Sequence, residues 1–92
     1  MRPQYGTPVS PPPTTAPLKP SPTSIVNCLY QYTYVWPKQG TPFWFYPIKV
    51  ELGEVSGYKW VSMYWVTHKL DGKLIGGIAP TILLPPSKNP TS

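Results

Sequence analysis

The sequence is poor in nearly everything that catalysis draws on. Among its 92 residues are one cysteine, one histidine and three acids, Glu51, Glu54 and Asp71. A lone cysteine, Cys28, excludes an internal disulfide and a cysteine-based metal site. Three scattered carboxylates are too few for a glycosidase pair or a hard-metal cage. The glycines form no phosphate loop, because no lysine and helix start follow them in the required order. Cys28 with His68 as its base is the one nucleophilic pair available. The plainer readings are a small buried hydrophobe for Cys28 and a strand-end polar residue for His68. The expectation is a non-enzymatic chain with no cofactor and no metal.

Long apolar stretches are missing too. None approaches the roughly eighteen residues that a membrane helix needs, and residues 1–24 lack the apolar core of a signal peptide. This gives the expectation of a protein made in the cytoplasm without a signal peptide and without membrane insertion. Charge is thin as well. The formal net charge is +5, but residues 25–84 carry only five lysines against the three acids. No basic run exists, so the charge reads as ordinary solubility, with weak attraction to polyanions as the lesser reading.

What the chain does have is proline and aromatics. Fifteen residues are proline, and eight of these precede position 23. Proline fixes φ and removes a backbone donor, so residues 1–24 are expected to form a disordered, PPII-like arm. Residues 85–92, Pro-Pro-Ser-Lys-Asn-Pro-Thr-Ser, read as a short tail. The folding unit is then 25–84. It holds every aromatic except Tyr5. A domain of that size buries only about 60% of its unfolded surface. Large aromatics, at about 150–250 Å² each, supply what disulfides cannot.

Periodicity points to strands. Residues 25–36 alternate, with Val26, Cys28, Tyr30, Tyr32, Tyr34 and Trp36 on one face, and are expected as one strand. Two prolines and a glycine in 37–42 break it. Phe43 to Val50 is the second strand, with Pro47 marking an edge or a bulge. Residues 51–57 are a loop with room for a helical turn, and Tyr58 to Lys69 is the third strand. Asp71-Gly72 is expected as a type I′ hairpin turn. Leu74 to Ile78 follows, with a bulge at Gly76-Gly77, and 79–84 as a short fifth strand. No helix-period segment of useful length appears. The fold class is therefore all-β, a small antiparallel meander of four to five strands closing as an SH3-like or OB-like barrel or sheet.

The aromatic stripe has two readings. It is either the core face of the sheet or a stacking platform for single-stranded nucleic acid or carbohydrate. Platforms for nucleic acid sit in basic grooves, which disfavours the second. More aromatics are present than so small a core readily hides, which marks a protein interaction surface. The candidate surface is Tyr30, Tyr32, Tyr34, Trp36, Phe43, Trp44, Phe45, Tyr46, Trp60 and Trp65. The arm offers Pro8-Val-Ser-Pro11 and Pro17-Leu-Lys-Pro20, each able to dock an aromatic groove as PPII. A tether with no partner is the plainer reading. If the groove belongs to a second copy, arm exchange gives a homo-oligomer.

Residues 36–47, Trp-Pro-Lys-Gln-Gly-Thr-Pro-Phe-Trp-Phe-Tyr-Pro, are followed by Val55-Ser-Gly-Tyr-Lys-Trp60 and Tyr64-Trp65. This pattern resembles a group of small proteins from Gram-positive spore-forming bacteria with an aromatic β domain and no assigned activity. The resemblance covers about residues 30–70. It implies a structural component of the spore or cell surface. The group closes with a cysteine-containing strand, where this chain has Lys73-Leu-Ile-Gly-Gly-Ile78.

Overall fold

A computed structural model describes residues 7–81 other than Val9. The expected tail at 85–92 and the end of the expected fifth strand lie outside the described residues. The protein is all-β. Five strands, β1 (Thr33–Pro37), β2 (Phe43–Glu51), β3 (Glu54–Val61), β4 (Tyr64–Asp71) and β5 (Ile75–Pro80), form one antiparallel sheet. Its order is β4-β3-β2-β1-β5. The first four strands make a meander. The fifth returns past them to pair with the free side of β1. No ladder joins β4 to β5, so of the two expected forms, barrel and sheet, the open sheet is the one that forms.

Several strand readings are corrected. The expected loop at 51–57 is a two-residue turn, with Glu54 already in β3. The expected strands 74–78 and 79–84 are, among the described residues, the single strand β5. Residues 25–32 alternate in hydropathy but are not strand. Ile25–Cys28 is a single 3₁₀ turn, and Tyr30 takes a left-handed φ of 63°. Its amide donates to the Pro47 carbonyl at 2.8 Å, while Gln31 N–H closes on Cys28 O. The expected third strand, 58–69, is in fact two strands. Ser62 and Met63 turn the chain with φ of 47° and 76°. Two consecutive positive φ values are what a two-residue I′ connection requires. Leu52 and Gly53 do the same between β2 and β3, at 51° and 78°. Asp71-Gly72 is not a hairpin. Asp71 instead caps a 3₁₀ turn, Gly72–Leu74, by accepting from Lys73 N–H. That turn carries the chain across to β1.

Both expected bulges are present. The β2–β3 register shifts between Pro47 and Lys49, leaving Ile48 as the extra residue. Proline has no ladder donor to give, so a bulge accommodates it within a paired strand. Before the bulge Phe43, Phe45 and Pro47 face inward; after it Val50 does. On β5, Trp36 pairs Gly77 and Pro37 pairs Ile75, so Gly76 is skipped. Gly57, opposite Pro47, has no room for a side chain. A β-carbon there would meet the Tyr46 carbonyl and stand 2.8 Å from Pro47 Cα.

The core lies on one face. Cys28, Val35, Phe45, Val55 and Ile78 form a buried cluster, flanked by Ile25, Phe43, Val50, Leu70 and Ile75. These residues come from the first 3₁₀ turn and all five strands, so the sheet curls around them. Full burial of a side chain such as Phe45 stabilises by about 1.5–3 kcal/mol. Thr33 is the buried polar residue of this face, and its hydroxyl donates to Gln31 O at 2.9 Å.

Candidate functional site

Strand alternation puts the second set of aromatics on the opposite, outer face. With Thr33, Val35 and Phe45 inward, Tyr34, Trp36, Trp44 and Tyr46 point outward. The register extends the row: Tyr34 opposes Trp44, Tyr46 opposes Tyr58, and Trp60 opposes Trp65. The rings pack into two groups. Trp44 and Trp36 both meet Tyr34 edge-on with centroids 5.0 Å away. Tyr32 stacks on Trp65 at 5.6 Å and 10°, with Tyr46 against both and Trp60 edge-on to Trp65.

The proline-rich arm lies across this face. At one end the Ser10 carbonyl accepts two hydrogen bonds, from Trp65 Nε1 at 2.8 Å and from Tyr32 Oη at 3.0 Å. With the Tyr32 proton given to that carbonyl, the Ser10 hydroxyl is the donor to Tyr32 Oη. At the other end Pro20 sits on Gly77 beside Trp36. Ser21 N–H donates to Ile78 O on the outer edge of β5 at 2.8 Å. Between these anchors Pro12, Pro13, Ala16 and Pro17 are half-buried. Trp44, an outer-face residue in the middle strand, is only 8% exposed. The expectation for the arm is a disordered, PPII-like spacer, with docking into an aromatic groove as the other reading. Its described part has no strand, as its prolines dictate, but it is anchored at both ends of the aromatic face.

The candidate surface is thereby redistributed. Tyr32, Tyr34, Trp36, Trp44, Tyr46, Trp60 and Trp65 belong to the outer face. Phe45 does not: it is fully buried in the core, and Phe43 flanks it there. Their odd positions on β2 turn them inward. Tyr30 lies off the strand in the left-handed turn and is 48% exposed. Of the proposed arm contacts, Pro20 makes a seat, Pro8 and Pro17 are half-buried, and Pro11 is exposed. Ser10, Tyr58 and Gly77 were missed. The run Pro11-Pro12-Pro13 after Ser10 was the available signal, since a PPII segment leaves its carbonyls unpaired.

Polar chemistry is sparse. Burial pushes the Cys28 thiol above its ordinary range, against a smaller downward pull from its hydrogen bond with Thr33. His68 points to the core side, edge-on to Phe43 and Phe45 at 6.0 and 6.1 Å. Burial, and then the Lys59 ammonium, hold it below its ordinary range. Lys59 itself lies 4.4 Å over the Phe43 ring. Burial raises Tyr46, helped by Tyr32 and Tyr30. The three acids, scattered in sequence, gather at one end of the sheet, where Glu54 pairs Glu51 and Asp71 in register. Among the described residues no group of three or more His, Cys, Asp or Glu is placed to hold a metal. None of the described helices is long and apolar enough to cross a membrane.

No family model, curated protein or solved structure matches this chain.

Proposed function

We propose that this chain is a non-enzymatic protein-interaction module that holds an extended polypeptide segment on its outer aromatic face. The observation that carries this is the Ser10 carbonyl held between Tyr32 Oη and Trp65 Nε1. Tyrosine and tryptophan combine apolar area with a polar tip, which suits a surface that must grip a main chain and still be wetted. Lys59, in the middle of the sheet, lies on the core side over Phe43. The register places Lys49 and Lys69 on the outer face, on either side of Ser56. They lie toward the acidic end of the sheet, where Lys49 pairs with Glu51 at 3.1 Å, which disfavours a phosphate backbone.

The test is amide chemical-shift mapping on the full chain. The probes are extended peptides of several compositions, a single-stranded oligonucleotide and an oligosaccharide. Perturbations at Tyr32, Tyr46, Trp60 and Trp65 with at least one peptide support the reading. Perturbation by the oligonucleotide or the sugar alone would replace it with the stacking-platform alternative.

A further inference from the structure

Resting on that reading, we infer that the outer face is a site for a proline-rich, PPII-type segment of a partner protein, and that the chain's own arm occupies it in cis as a competitor. Three observations converge on this ligand class. The occupant seen is itself proline-rich: Ser10 is followed by Pro11, Pro12 and Pro13. The donors, an indole N–H and a phenol O–H, both address a backbone carbonyl, and the Ser10 hydroxyl adds one side-chain bond by donating to Tyr32 Oη. Recognition of that kind reads conformation, because PPII presents its carbonyls unpaired and preordered. The second anchor is a proline ring on a glycine, beside a tryptophan. Apart from the Ser10 hydroxyl, the anchors engage a carbonyl at one end and, at the other, a proline followed by a backbone N–H.

The arm's hydrogen bonds to the sheet and its aromatics are at these ends, with Pro12, Pro13, Ala16 and Pro17 half-buried between them. Thr14, Thr15, Leu18 and Lys19 between them are exposed, with Leu18 at 98%. A partner segment that keeps prolines on the face throughout makes better use of it. It must still displace a tethered rival whose effective concentration is of the order of millimolar. Apparent affinity is divided by the fraction of molecules whose face is open. Loosening the arm must therefore tighten binding of a foreign segment, although the variant gains no contact with it.

The test uses the full chain and the full chain carrying Pro11→Gly, Pro12→Gly and Pro13→Gly together. Each is titrated with a synthetic peptide of residues 7–20, which has no aromatic residue, so tryptophan fluorescence reports the protein alone. A second peptide has every proline replaced by alanine. The expected result is at least about tenfold tighter binding of the proline peptide to the variant than to the natural chain. The alanine peptide should be weak in both, and Trp65→Phe in the variant background should lower affinity. Pro20→Gly, which removes the ring seated on Gly77 and leaves the face itself unchanged, serves as an independent way of loosening the arm. Equal affinity in all arm forms, or equal binding of the alanine peptide, overturns the inference while leaving the interaction-module reading standing. Absence of any peptide binding to the face in every form overturns both. An arm-exchanged dimer that grows with concentration, with no gain in peptide affinity, assigns the face to a second copy and also overturns it.

Discussion

Pro20 rests on Gly77 so closely that a β-carbon on the glycine would stand 2.8 Å from the proline's Cβ and closer still to its Cγ. Trp36 stands beside them, its ring 3.6 Å from the same position. Neither the backbone of β5 nor the proline ring has much freedom to give way. Gly77→Ala is therefore expected to lift the arm from this end of the face. Overpacking of this kind costs about 1–3 kcal/mol. Proteolysis within residues 11–22 reads the effect directly. The variant should be cut faster than the natural chain while the sheet's thermal transition shifts little; an unchanged cleavage rate would show that the seat does not hold the arm.

The Ser62-Met63 turn is a place to gain stability. Both residues sit at positive φ without being glycine or asparagine, a conformation that costs a residue with a β-carbon. Ser62→Asn with Met63→Gly supplies the residues that type I′ turns favour. The pair is expected to raise unfolding free energy by about 1 kcal/mol. Urea denaturation measures it, and a loss of stability would mean that the exposed Met63 side chain has a role that the turn geometry does not explain.

Cys28 is fully buried, and its thiol is pushed above the ordinary range by that burial. The thiolate is the reactive form. Labelling by a thiol reagent near pH 8 should therefore proceed only as fast as the protein opens. Rates should rise in step with urea, together with the loss of structure. Fast labelling of the folded protein would place the sulfur elsewhere.

His68 gives the protein a weak acid sensitivity of definite sign. Its folded pKa lies below the ordinary value, so the unfolded state takes up the proton first. Stability from this group is complete above the ordinary histidine range, about pH 6.5. It falls as pH drops below that value toward the lowered one, because charging the ring favours the unfolded chain. The ring packs on Phe43 and Phe45 with Lys59 nearby. His68→Gln should flatten this part of the stability–pH curve, as measured by denaturant midpoints between pH 5 and pH 8. An unchanged slope would assign the effect to other groups.

The parts of the fold legible in the sequence were those where one residue type leaves no choice. Pro47 demanded a break in the ladder and produced the bulge at Ile48. The glycine pair on the last strand marked the bulge at Gly76. The parts that were not legible involve residues acting against their propensity. Ser62 and Met63 carry no turn signal, so one long strand was read where a hairpin stands. Residues 25–32 alternate like a strand, but Tyr30 breaks the extended run to bond Pro47. Asp71-Gly72 has the composition of a hairpin, yet the aspartate caps a 3₁₀ turn. At the site, the outward aromatics of β1 followed from period-two alternation. The inward turn of Phe43 and Phe45 depended on which face met the core, and an all-aromatic run hides that.

The pairing of β1 with β5 also sets the order in which the molecule is completed. Residue 33 finds its partner at 80, and Ser21 finds its acceptor at Ile78. Contacts so distant along the chain form late and slowly, because loop closure must precede any reward. During synthesis the arm and β1 must emerge long before the strand they dock against. Until then the proline segment is held on the outer face at its Ser10 end alone. A chain that has emerged to about residue 70 carries four strands and the Ser10 anchor, and the six residues of β5 then add the second anchor, at Gly77 and Ile78.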